Sequence, residues 1–233
     1  MKIFCIIGSS GSIATNIQLK LLKRKNIKIY GCSRSYYTLN KKNFHHTIVD
    51  ACNPKQVNNW LKNIFNKEKK IDTLICLSGT TKGGGLVINM NEDLEYENNF
   101  NNFLKSVIIS NKEVLKYFIK RKSGSIINFS SISYKKNLQG SSVYSASKAA
   151  VSSYTKILAK ENLKFNINAN VIIPFLIDNK DTKKRGKVWK DSILSLQDTP
   201  KVKVETLVNL INFLTDKENY YITGQEISIG SVL

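Results

Sequence analysis

A doubly wound α/β architecture, with seven parallel strands in one sheet and helices on both faces, is what this 233-residue sequence predicts. Three observations carry it. Short apolar runs of strand type alternate with amphipathic stretches from end to end, the pattern of repeated strand-to-helix crossovers. The first run passes straight into a glycine turn and then a helical stretch. A hydrophobic fraction of 42% over this length is enough to fill a core around one sheet, and no break in composition marks a second unit, so residues 1–233 read as a single Rossmann-type domain.

The elements follow in order. Residues 2–7 (Lys-Ile-Phe-Cys-Ile-Ile) form the first strand; Gly8 to Ala14 form the turn, and 15–25 the first amphipathic helix. Further strands are expected at about 27–32, 46–50, 72–77, 124–129, 167–173 and 226–229. Strand, glycine turn and helix together make a dinucleotide-binding arrangement. Gly8 permits the tight turn, Gly11 lets the backbone approach a pyrophosphate, Ala14 is small enough for close helix packing, and free helix N–H groups face the phosphates.

The run 143–150, Val-Tyr-Ser-Ala-Ser-Lys-Ala-Ala, places Tyr144 and Lys148 one helical turn apart, on a shared face. Ser130 and Ser131 lie upstream. A free phenol titrates near 10, so work as an acid or base at neutral pH asks for roughly three units of depression, about 4 kcal/mol. A lysine cation supplies that sign of field, and a serine hydroxyl holds a substrate oxygen without titrating.

Together these segments resemble the short-chain dehydrogenase/reductase family over nearly the whole chain. The matching stretches are 28–34, Thr47 to Asp50, Asp72 to Gly79, Gly124 to Ser131, Ile167 to Pro174 and Tyr221 to Ile227, in the family's order. The resemblance implies an NAD(P)-dependent oxidoreductase that reduces a carbonyl or oxidises the matching alcohol. The family's serine stands thirteen positions before its tyrosine, which selects Ser131 over Ser130. Tyr144 is then the general acid, Ser131 positions the carbonyl, and Lys148 lowers the phenol's pKa while bonding the nicotinamide ribose. Cofactor contacts are implied for Gly8, Ser10, Gly11, Ser12, Ile13, Ser33, Arg34, Asp50, Ala51, Ser78, Gly79, Tyr144, Lys148 and Pro174. Ser33 and Arg34 stand where an acid would select NAD, which favours NADP, with NAD still possible. Homodimers or homotetramers are implied by the family alone.

The chain also departs from the family's pattern. Twenty-eight residues before Ser131, where the family carries a relay asparagine, stands Phe103. Phenylalanine cannot replace an amide. Asn102 takes the role if the helix has a one-residue irregularity; a surface or capping asparagine is the alternative. Cys76, Leu77 and Ser78 replace the usual Asn-Asn-Ala, Phe175 follows Pro174 where glycine is common, and Gly230-Ser231 replaces a paired glycine. These changes support a second reading, a dinucleotide-binding regulatory or scaffold protein with little turnover.

The net charge of +19 is almost entirely lysine, with arginine only at 24, 34, 121 and 185. Bidentate reading of phosphates and bases prefers arginine, so a solvated basic surface is expected, with neither nucleic acid nor membrane as partner. The basic run 180–187 is placed to meet an anionic or carrier-bound substrate. The loop 80–85, with three glycines, and the segment 174–200, containing Trp189, are expected to set substrate choice, a 3-oxoacyl thioester or a keto sugar. Cys5, Cys32, Cys52 and Cys76 are scattered, without Cys-x-x-Cys, and the only histidines are His45 and His46, so no metal site and no disulfide is expected. The first apolar run is too short for a signal or membrane segment, which places the protein in the cytoplasm.

Overall fold

A computed structural model describes residues 1–79, 85–90, 92–179, 195–196 and 199–232. The loop 80–84, the basic run 180–187 and Trp189 lie outside the described residues. The strands are β1 (Lys2–Ile7), β2 (Ile27–Ser33), β3 (Phe44–Ile48), β4 (Thr73–Cys76), β5 (Gly124–Phe129), β6 (Ile167–Pro174) and β7 (Glu226–Ile229). They pair in parallel in the order β3-β2-β1-β4-β5-β6-β7. Among the described residues the α-helices are α1 (Ser12–Leu21), α2 (Pro54–Glu68), α3 (Glu92–Asn99), α4 (Ser106–Arg121), α5 (Ser142–Asn162) and α6 (Val204–Leu214), and a π-helical stretch, Phe100–Lys105, joins α3 to α4.

Period-two alternation splits the strands between two apolar layers. In β1, Ile3, Cys5 and Ile7 pack with Trp60 and Leu61 of α2, Val114 and Phe118 of α4, and Val151 and Leu158 of α5. Phe4 and Ile6 face the other way, onto Ile17 and Leu21 of α1 and Leu207 and Ile211 of α6. Both faces of the sheet are thus covered, which is why the strands read as apolar runs.

The expected β3 lies two residues too late. Its register with β2 runs from Ile29 opposite Phe44 to Ser33 opposite Ile48, which buries Phe44 and leaves Ile48 exposed at the sheet's edge. The β-branched trio Thr47-Ile48-Val49 drew the expectation; edge position overrode it. α2 begins where Asn53 accepts from the Lys55 and Gln56 N–H groups at 3.1 and 3.2 Å, with Pro54 at its first position.

The strand order reverses between β1 and β4. The chain runs outward from β1 through β2 to β3, then returns to lay β4 on the other side of β1. The loops leaving these two strands diverge there and leave a crevice at their carboxyl ends.

Candidate active site

Gly8 ends β1 with a φ of +76°, a left-handed conformation that glycine adopts without penalty. A Cβ there would come within 2.6 Å of the Ser78 Cα and 2.7 Å of the Leu77 carbonyl, so only glycine lets the β1 and β4 loops meet. Gly11 caps α1 through its backbone, with no side-chain cap bond, and the helix's first N–H groups point toward the crevice mouth.

The crevice has a volume of about 250 Å³. It brings together Gly8, Ser10, Gly11, Ser33, Arg34, Asp50, Ala51, Ser78 and Gly79 from loops after β1, β2, β3 and β4. Ser12 and Ile13 stand in the first turn of α1, and Pro174 closes β6, all outside this lining. Ser12 contacts Asn179 Oδ1 at 3.4 Å, so the segment leaving β6 reaches across the N-terminus of α1.

Cys52, Asn102 and Ser106 also line the crevice, and the sequence reading missed them in that role. Ser106 donates to the Asn102 carbonyl at 2.6 Å, and the Ser78 hydroxyl lies 2.6 Å from Ser106 Oγ. Since the Ser106 proton is committed to Asn102, Ser78 is the donor of that second bond. Serine in place of alanine at 78 thereby ties the β4 loop to α4, a signal visible in the sequence only as a departure.

Tyr144 and Lys148, on α5, stand outside the crevice lining. The 21 residues of α5 hold Tyr144 and Lys148 on one face, and two serines fasten that turn: Ser147 donates to the Tyr144 carbonyl and Ser130 to the Lys148 carbonyl, both at 2.7 Å. Ser130 is buried and its hydroxyl is thus engaged with backbone. Ser131, next in sequence, is extended, accepts from the Ser133 N–H at 3.3 Å and stands near enough to the Tyr144 phenol to act on its titration. Burial pushes the phenol above its usual range, and the Ser131 hydroxyl works against that. The phenol is therefore protonated at neutral pH in the resting protein, in place of the depression expected from Lys148.

Lys148 is only 6% exposed. It donates to the Phe129 carbonyl at 3.1 Å, and its Nζ stands 4.0 Å from the centre of the Phe103 ring and 5.9 Å from that of Tyr144. Burial lowers its pKa to about 7, opposed by the nearby Cys76 thiol. The helix irregularity considered for Asn102 exists, as the π-helical stretch Phe100–Lys105. It sends Asn102 to the crevice, where its Nδ2 reaches Asn98 Oδ1 at 3.4 Å, and sends Phe103 to Lys148.

The sequence model of the family described as short chain dehydrogenase matches residues 2–190. The chain belongs to the short-chain dehydrogenase/reductase family. As a member it is an NAD(P)-dependent oxidoreductase with the family's parallel α/β fold. It is similar to the 3-oxoacyl-[acyl-carrier-protein] reductase FabG of Thermotoga maritima, 32% identical over 80% of this chain and 75% of that one. The protein of the same name from Buchnera aphidicola is 29% identical over 98% and 96% of the two chains. A solved structure described as "ElxO with NADP Bound" superposes with a TM-score of 0.89 at 25% identity, covering 98% of this chain and 96% of that one.

The short-chain dehydrogenase crevice fits a nicotinamide dinucleotide on its own features. Gly8 gives room for a pyrophosphate above a helix N-terminus, and exposed Arg34 follows the end of β2 in the same lining. When bound, the cofactor supplies or accepts a hydride.

Proposed function

We propose that this chain is an NADPH-dependent reductase of 3-oxoacyl thioesters, built as one domain. The observation that carries the reading is the buried, protonated Tyr144 phenol with the Ser131 side chain near it, one helical turn from Lys148 and beside the glycine crevice. In the reduction, a carbonyl oxygen sits between Ser131 and Tyr144. Ser131 holds that oxygen by hydrogen bonding, and Tyr144 donates its proton as negative charge develops there. Lys148 stabilises the phenolate that remains and is placed to contact the nicotinamide ribose. Gly8, Ser10, Gly11, Ser12 and Ile13 hold the pyrophosphate, Ser33 and Arg34 the 2′-phosphate, and Asp50 and Ala51 the adenine. Ser78, Gly79 and Pro174 border the nicotinamide half.

Two further features support an acyl substrate. The FabG relatives act on 3-oxoacyl groups by their names, and the chain covers most of their length. Leu86, Val87 and Ile88 stand exposed on a turn that the Gly85 N–H ties to the Gly140 carbonyl at 2.9 Å, four residues before Tyr144, where an acyl chain would leave the site. The basic run 180–187 would meet an acidic carrier. Four free thiols suit a reducing compartment, which supports the cytoplasm, and among the described residues no helix is long and apolar enough to cross a membrane. We read the assembly as a homodimer or homotetramer, checked by light scattering on the purified chain.

The test is NADPH oxidation with a short 3-oxoacyl thioester and a keto sugar as competing substrates. Thioester-dependent oxidation is expected, and Tyr144→Phe should lower kcat by about 10²- to 10⁴-fold while NADPH still binds. Binding without Tyr144-dependent oxidation would favour a regulatory, dinucleotide-sensing protein instead.

A further inference from the structure

The Lys148 ammonium is buried without a carboxylate. Among the described residues no ion pair is formed by it, and its one hydrogen bond goes to the Phe129 carbonyl of β5. From β4 the Cys76 thiol faces it, held neutral because burial pushes that thiol far above its usual range and its Sγ donates toward Asn111 of α4 at 3.6 Å. From α5 comes the Tyr144 phenol, also neutral. The Phe103 ring faces it as well, its centre 4.0 Å from Nζ. A buried cation so placed loses most of its hydration and keeps few compensating charges.

The ring's placement is built, not incidental. Phe103 is 4% exposed, meets the Tyr144 ring edge to face at a centroid distance of 5.3 Å, and reaches this position through the π-helical stretch. Gly79 makes the room: a Cβ there would lie 2.1 Å from Phe103 Cε1. The face of a phenylalanine ring carries negative potential, and a desolvated cation within about 6 Å of its centre is attracted to it.

We propose that Phe103 is a positioning residue of the reaction, its ring face clamping the Lys148 ammonium beside Tyr144 in place of a polar partner. The inference rests on the reductase reading for its catalytic meaning, but its physical content concerns the resting protein. Phe103 offers Lys148 a ring face and no hydrogen-bonding group. The clamp also sets where the ammonium can stand, so Phe103 acts through Lys148 and touches no substrate atom.

The test uses the full chain with phenylalanine 103 replaced by mono-, di- and trifluorophenylalanine, which keep the ring's shape while draining its face, and with Phe103→Leu as the ring-free variant. The readout is the titration of Lys148 Nζ by isotope-edited NMR on the cofactor-free protein, with Lys148→Met assigning the signal. A stepwise fall in the Lys148 pKa with fluorine number, reaching about one unit, is expected; that is tenfold in the protonation constant, about 1.4 kcal/mol. Packing alone would leave the titration flat across the fluorinated series, and a flat series with an unchanged fold overturns the proposal. Kinetics on the same proteins should show kcat falling with fluorine number while KM for NADPH changes little. Because the titration is read without turnover, failure of every carbonyl substrate would count against the reductase reading and not against the clamp.

Discussion

At the scale of single residues, the site separates a neutral acid from a cation held at a cost. Burial draws Lys148 down to about 7, against about 10.4 in an unfolded chain. Between those values the unfolded chain binds the extra proton, so the group's contribution to stability rises with pH across that window, and below about 7 its cost is present in full. Lys148→Met should therefore raise the thermal midpoint most below pH 7, with the gain shrinking toward pH 10, while turnover is lost; melting curves across that range check it. Arg34 gives a second expectation. Arg34→Glu should weaken NADPH binding by about 10- to 100-fold, the worth of a charge-assisted phosphate contact, and leave NADH binding nearly unchanged, as read by fluorescence titration. The sequence shows Tyr144, Lys148, Ser131 and Arg34 by type and spacing. It shows Phe103 only as a departure, because contact between a ring and an ammonium depends on three segments far apart in the chain, and no pattern within one segment encodes that.

At the scale of elements, the strands leaving toward the crevice are short and the segments that follow them line it. Strand positions were legible because burial on both faces leaves an apolar signature, and least so for β3, where an edge position removes one face from the signal. The π-helical stretch was not legible: a single extra residue in a helical turn alters no composition, yet it decides whether Asn102 or Phe103 meets Lys148. The turn at Val87–Asn89 belongs to this scale as well. Ile88 is 88% exposed, so a polar replacement there carries little folding cost. Ile88→Asp should raise KM for long-chain thioesters several-fold and leave a four-carbon thioester unaffected, as steady-state kinetics on a chain-length series would show.

At the scale of the whole molecule, the net charge of +19 surrounds a crevice meant for an anionic ligand. Lysines spread over the chain act as a diffuse field and not as individual contacts, so the effect is long in range and easily screened. Raising the ionic strength from about 0.01 M to about 1 M shortens the screening length from about 30 Å to about 3 Å. NADPH association should slow by an order of magnitude over that interval in stopped-flow traces, with little change in the dissociation rate.

The reversal of strand order that opens the crevice also governs how the polypeptide must be made. β1 acquires β2 from close by, but its opposite edge waits for β4, which emerges from the ribosome some sixty-six residues after β1 ends. Until then a nascent chain presents an apolar, hydrogen-bond-hungry border at the middle of its future sheet. The same discontinuity that admits a nucleotide in the finished enzyme is thus, during synthesis, the seam most open to mispairing with a neighbour.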